Sequence, residues 1–296
     1  MDEQTLRLQH PSVMRASAGF YTDVWRRLRR NHAAIAGLAI VTFFAGVALL
    51  APLVAPHDPI AQDLDARLLP PSVTHLLGTD DLGRDLLSRI IYGGRVSLTV
   101  GIVSVGLALA AGTVLGLVAG FYSGWADSLT MRAMDIMLAF PATLLAIFIV
   151  GIRGPGLNNA MLAIGVINIP IFARIMRGSV LRVRQEDFVE AARALGASQR
   201  RLLGRHILPN TLAPIIVQTT LAIGAAILEA AGLSFLGLGA QAPTPEWGAM
   251  LSHTREFLRD APWAATFPGI AILLTVVGFN LLGDGLRDAL DPRLRQ

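Results

Sequence analysis

Residues 190–209 read EAARALGASQRRLLGRHILP, a polar, Arg-studded stretch between two long apolar runs. Its residue order spells a bent element. Glu186, Asp187 and Glu190 come early, where the partial positive charge of a helix N-terminus favours carboxylates. Helix formers follow as far as Leu195, and Gly196 then stands where a left-handed C-cap fits. Ser198 suits the N-cap of a second short helix over 199–207 that stops at Pro209. The expectation is helix, glycine corner, helix. Phe188, Val189, Ala192, Leu195, Leu202, Leu203 and Ile207 supply apolar positions, while Ala191, Ala192 and Ala194 are small enough for another surface to come close. Two readings fit this composition equally: a handle gripped by a partner protein, and an amphipathic loop lying on lipid headgroups.

The flanking sequence places the stretch beside a membrane. Of 296 residues 53% are hydrophobic and 16% charged, against about 25% charged in an ordinary soluble domain. A net charge of +4 and a pI near 10.5 raise the question of nucleic acid. The arginines, however, lie between apolar runs rather than on one basic face, so no nucleic-acid partner is expected. Crossing about 30 Å of hydrocarbon takes about 20 apolar residues. Six runs qualify: 33–54, 96–121, 130–152, 158–177, 211–232 and 264–283. Six crossings put 1–32, 122–129, 178–210 and 284–296 on one side, which with Arg132, Arg174 and Arg177 at the adjoining helix ends holds 18 arginines, against 7 on the other. By the positive-inside rule the first side is cytoplasmic, with both termini inside. The organisation is thus a tail 1–32, a first span 33–54, an outer loop 55–95, a five-helix core 96–283 carrying the polar loop 178–210, and a tail 284–296. WRRLRR at 25–30 precedes an apolar run longer than a signal-peptide core of about 7–15 residues, so it reads as the anchor of an uncleaved first span.

Two absences limit the chemistry. The chain has no cysteine, hence no disulfide, thiolate metal site or Cys nucleophile. It has no lysine either, and a Walker-A loop needs one at the β- and γ-phosphates. Any nucleotide energy therefore comes from a partner.

Within the spans, Ala108, Gly112, Gly116 and Gly120 form a small-residue ridge of the kind that lets helices approach closely. Arg132 and Asp135, three apart, are positioned to neutralise each other. Glu229 is a carboxylate with no local partner, which favours a hydrogen bond to a neighbouring span. Pro141, Pro170 and Pro268 are candidate bends.

The sequence 190–209 also resembles the cytoplasmic signature of ABC-importer permease subunits: Glu190-Ala191-Ala192, three residues, Gly196, nine residues, then an I-x-L-P end at 206–209 in which His206 replaces Ile while Leu208 and Pro209 match. HLLGTDDLGRDLLSRIIYGGRVSL (75–98), LSFLGLGAQAPTPEWG (233–248) and NLLGDGLRDALDPRL (280–294) resemble the dipeptide/oligopeptide/nickel permease family, in its second, C-type subunit. The resemblance implies an all-α polytopic membrane protein of the type I ABC-importer permease fold in a bacterial inner membrane. It further implies a second homologous permease subunit, two cytoplasmic ATPases and an extracytoplasmic substrate-binding protein as partners. No cofactor is expected in the chain itself, ATP and Mg²⁺ being used by the ATPases. Dipeptides or short peptides are the expected cargo, with glutathione, opines or nickel as alternatives. Glu190, Ala191, Ala192, Gly196, Arg200, Arg201, His206, Leu208 and Pro209 become the coupling helix, with Arg200, Arg201 and Arg205 facing acidic residues of an ATPase. Glu229, Gly237, Gly239 and Trp247, the last expected at the membrane interface, become candidates for an outer gate and a docking face.

Asp80, Asp81 and Asp85 in GTDDLGRD lack the alternating ligand pattern of a Ca²⁺ loop, so pairing with Arg84, Arg89 and Arg95 and helix capping are expected, and no metal site. A secondary transporter would show midspan carboxylates and an internal repeat, of which only Glu229 has any counterpart here. An intramembrane serine hydrolase built on Ser234 would lack a base, because the six histidines lie in tails, loops or span edges.

Overall fold

The computed structural model describes residues 25–290. The described residues are helical, joined by turns and short loops, with a single isolated β-bridge between Thr79 and Asp85. Helix α1 (His32–Leu49) begins where the Asn31 side chain accepts from the Ala34 amide at 3.1 Å. Helix α2 (Leu86–Tyr122) is followed by α3 (Gly124–Ala139), α4 (Ala142–Arg153) and α5 (Leu157–Val183). Beyond them come the short α6 (Asp187–Ala194), α7 (Leu208–Phe235), the short α8 (Trp247–Thr254) and α9 (Trp263–Leu290). Five helices are long and apolar enough to cross a membrane, and α3 with α4 makes a sixth crossing if that bent pair is one span.

Within the span expected over 130–152, Pro141 is the candidate bend that breaks the helix. Helices α3 and α4 meet at 90° across Phe140 and Pro141. A residue before proline is pushed out of the helical region, and Phe140 takes φ −91° and ψ 139° accordingly. Pro170 and Pro268 lie inside helices that continue through them. Helix α2 starts ten residues earlier than its apolar run, at Leu86, because Asp85 caps it and the charged Arg89 is buried beside Asp80. At about 1.5 Å per residue its 37 residues are longer than the hydrocarbon core is thick.

Small residues decide which helices touch. On α2, Ala108, Gly112, Gly116 and Gly120 are all buried, and the three glycines lie against α5. A Cβ on Gly112 would lie 2.6 Å from Phe172 Cβ, and one on Gly116 would fall on the Ala173 carbonyl. The ridge is therefore a helix–helix contact, as its spacing implies. Gly37 of α1 and Gly278 and Gly285 of α9 provide a second close approach, with a Cβ on Gly37 only 2.5 Å from the Leu282 amide. The largest apolar cluster lies among α2, α4, α5 and α7 and reaches Val189, Leu202 and Ile207 of the polar stretch. A second surrounds Trp247 with Leu86, Met250, Ala264 and Ile272.

Candidate functional site

The polar stretch is bent as its sequence implies. Asp187 and Glu190 stand in the first turn of α6. Its far end closes in a Schellman motif: the Gly196 amide donates to Arg193 O at 2.9 Å and the Ala197 amide to Ala192 O at 3.0 Å. Gly196 has φ +81°, with open space where a Cβ would project. The glycine is needed for its backbone, not for room. Ser198 then caps the next turn by accepting from the Arg201 amide at 3.4 Å.

The second half differs from expectation. The helix does not stop at Pro209 but runs unbroken over Gln199–Phe235 into the membrane. Pro209 has no amide proton, and its ring would crowd the carbonyl four residues back in an α-helix. The chain accommodates it with a π-helical turn over Leu202–Ile207, in which the Leu208 amide reaches back five residues to Leu203 O. The corner is therefore rigidly continuous with a span.

Burial sorts the candidate coupling residues. Val189, Leu202 and Ile207 are buried and fasten the element to the bundle core. Glu190, Ala191, Gly196, Arg200, Arg201 and Pro209 are exposed, whereas His206 and Leu208 are half-buried. Ala192 packs inward against the core, so it does not belong to the small-residue outer face, which Ala191 and Ala194 provide. At the corner Leu195 is 88% exposed, a large apolar side chain held clear of its own fold.

Arginines near the same end have partners that sequence spacing hides. Asp135 pairs with Arg174 of α5 at 2.6 Å rather than with Arg132. Asp127 of α3 takes a two-pronged grip from Arg177, whose Nη2 donates at 2.6 Å. Arg184 donates to Phe121 O at 3.0 Å and Ser123 Oγ at 2.8 Å, closing the end of α2. These contacts cross between helices, which a pattern along one helix cannot reveal.

At the opposite end of the bundle, α7 finishes in another Schellman turn, with Gly237 at φ +79° and the Leu238 amide donating to Leu233 O at 2.9 Å. Gly239 lies so close to Ser234 that no side chain fits. Trp247 is fully buried, against the expectation of an interfacial, docking tryptophan. Its ring lies on Gly93 and Gly94, its Nε1 donates to Ile90 O at 2.9 Å, and Phe44 meets it edge-on. Beside it Glu246, also buried, caps α8 by accepting from the Gly248 and Ala249 amides at 2.9 and 2.8 Å.

Glu229 accepts from Asn168 Nδ2 of α5 at 3.0 Å, a hydrogen bond between neighbouring spans. Glu229→Ala is expected to lower stability by about 0.5–2 kcal/mol. Glu229→Gln, which keeps a carbonyl acceptor, should be nearly neutral; thermal unfolding of the purified chain checks both.

The GTDDLGRD loop pairs internally, with Asp80 held by Arg84 at 2.7 Å and Arg89 at 3.2 Å. Asp85 caps α2 by accepting from the Ser88 amide at 2.8 Å and its hydroxyl at 2.7 Å. Burial pushes the Asp85 carboxyl up. The bonds from Ser88 and His75, with His57 nearby, outweigh that and leave it below the usual carboxylate value.

With the geometry in view, the relatives can be placed. Residues 112–296 match the family described as the binding-protein-dependent transport system inner membrane component. The chain belongs to this family. Residues 19–71 match the N-terminal transmembrane domain of oligopeptide transport permease C. The chain is 54% identical to the dipeptide transport system permease protein DppC of Alkalihalophilus pseudofirmus, over 93% of this chain and 90% of that relative. It is 48% identical to the glutathione transport system permease protein GsiD of Pectobacterium atrosepticum, over 93% and 92%. A chain of the inward-facing MetNI methionine ABC transporter superposes with a TM-score of 0.59 at 17% identity, covering 70% of this chain and 98% of that one. The fold is thus that of an ABC-importer permease, and the chain is a multi-pass inner-membrane protein.

Proposed function

We propose that this chain is one of two homologous permease subunits of an ATP-driven importer, and that it passes dipeptides or short peptides across the inner membrane. Relatives named for dipeptide transport support the cargo. A second cargo, glutathione, is supported by relatives named for its transport. Two ATPase subunits drive the importer from the cytoplasm, and a substrate-binding protein delivers cargo from outside. The arginine asymmetry supports a cytoplasmic location for both termini and for 178–210. The chain performs no chemistry and needs no cofactor, since ATP and Mg²⁺ belong to the ATPases and no lysine is present for a phosphate loop.

The observation that carries this reading is the unbroken helix from the Gly196 corner into the membrane. Glu190, Ala191, Leu195, Arg200 and Arg201 offer an exposed face to an ATPase groove. When the ATPases close, that face moves and α7 moves with it as a rigid body. At the other end Glu229, Gly237 and Gly239 form part of the outer gate, where the turn after α7 meets the binding protein.

The absence of native cysteines gives a clean test. A single Ala191→Cys introduced into the assembled importer should react with a membrane-impermeant maleimide in inverted vesicles, and be protected when the ATPases are bound. Proteoliposomes holding all subunits should take up a labelled dipeptide only with ATP, while the isolated chain turns over no nucleotide. Labelling from the periplasmic face, or ATP turnover by the chain alone, would overturn the reading. Uptake of glutathione in place of the dipeptide would select the second cargo.

A further inference from the structure

Two histidines and an aspartate from separate stretches converge just before α2. His75 Nδ1 lies 3.0 Å from Asp85 Oδ1, and His57 Nδ1 lies 3.7 Å from Asp85 Oδ2. The two imidazoles are 4.9 Å apart between centroids and inclined by 34°. One ligand atom from each residue can be chosen so that all three fall within 4.8 Å of one another. Asp85 is buried, His75 is 18% exposed and His57 43%, so the cluster has a fixed floor and an open mouth.

We propose that His57, His75 and Asp85 form a binding site for a divalent transition-metal cation of the Zn²⁺ type, with water completing the coordination. One carboxylate needs only one imidazole as partner, yet here two rings turn the same nitrogen toward it. Two imidazole nitrogens and one carboxylate oxygen suit Zn²⁺, Ni²⁺ or Cu²⁺. Ca²⁺ and Mg²⁺ take oxygen ligands and are disfavoured. Metal–ligand distances of about 2.0–2.2 Å put tetrahedral ligands roughly 3.3–3.6 Å apart, a separation that the nitrogen–carboxylate distances of 3.0 and 3.7 Å bracket. Outer support is in place as well. Ser88 orients the carboxylate through two hydrogen bonds, and its hydroxyl also accepts from the His57 amide at 3.0 Å. A bound cation clips residues 57 and 75 of the outer loop to the start of α2. This site does not depend on what the chain transports.

The test uses the full chain, purified through an affinity tag free of histidine, stripped of metal and titrated with Zn²⁺ against a chromophoric chelator. The wild type should bind one Zn²⁺ tightly, and its unfolding temperature should rise on binding. His57→Ala should weaken that binding at least tenfold while leaving helical content unchanged, because the ring is substantially exposed. His57→Cys should restore it, since a thiolate is itself a zinc ligand. X-ray absorption of the Zn²⁺ complex should show nitrogen and oxygen neighbours at about 2.0–2.2 Å. A wild type without a saturable site, or a His57→Ala variant that binds as tightly as the wild type, overturns the proposal.

Discussion

Gly116→Val should remove the folded protein from the membrane. The first atom added would fall on the Ala173 carbonyl, with Met176 Cβ 2.8 Å away. Neither neighbour can swing aside: one is helix backbone and the other a side-chain root. Helices α2 and α5 must separate, and with them the largest apolar cluster opens. Overpacking a close contact costs about 1–3 kcal/mol even when side chains alone must yield, and a backbone clash lies at or above that limit. A loss of this size lowers cellular abundance several-fold or more. Quantifying the chain in membranes by immunoblot, with Gly106→Val as the control, checks it. Gly106 lies on the same helix with no atom within 4 Å of a Cβ, so its substitution should leave abundance nearly unchanged. Equal abundance of the two variants would show that the ridge is not a tight contact in the membrane.

Gly196→Val should leave abundance intact and cut uptake at least tenfold. Here no atom blocks a side chain, and the cost is wholly conformational. A left-handed backbone costs an L-residue roughly 1–2 kcal/mol, more for a β-branched one. Nothing buried is lost, so the bundle stands, but the corner between α6 and the following helix opens. Asparagine visits the left-handed region readily, so the order of retained uptake should be Gly196→Asn, then Gly196→Ala, then Gly196→Val. Steric exclusion at a docking groove would rank them by size instead and put alanine first. Uptake in vesicles, normalised to the chain present, separates the two rankings.

Much of this molecule is legible in the sequence because membranes impose strong rules. The span at 33–54 carries no charge, the Gly112–Gly116–Gly120 spacing has one structural use, and carboxylates before a run of helix formers with glycine after it mark α6 and its cap. The unread parts depend on partners distant in sequence. Arg89 looks like a loop charge until Asp80 is seen beside it, so the true start of α2 is hidden. Four prolines, Pro141, Pro170, Pro214 and Pro268, carry the same local signal, yet of these only Pro141 breaks a helix, and nothing along the chain near them tells it apart. Trp247 suits a membrane interface and a glycine-lined slot alike, and Gly93 with Gly94 decides for the slot. Asp135 chooses Arg174 over Arg132 because its partner lies across a groove, not along its own helix. His57, His75 and Asp85 share no motif spacing at all.

The wide turn before Leu208 also sets the azimuth of everything downstream. Such a turn absorbs one residue more than an α-helical one, which phases the faces of α7 about 100° away from where a regular helix begun at Ser198 would carry them. Glu229 meets Asn168 on the face that this one-residue offset, more than twenty positions upstream, presents. Removing one residue from that turn of the continuous helix would swing the Glu229 face of α7 away from α5 by the same angle, so the corner and the polar pair are geometrically linked.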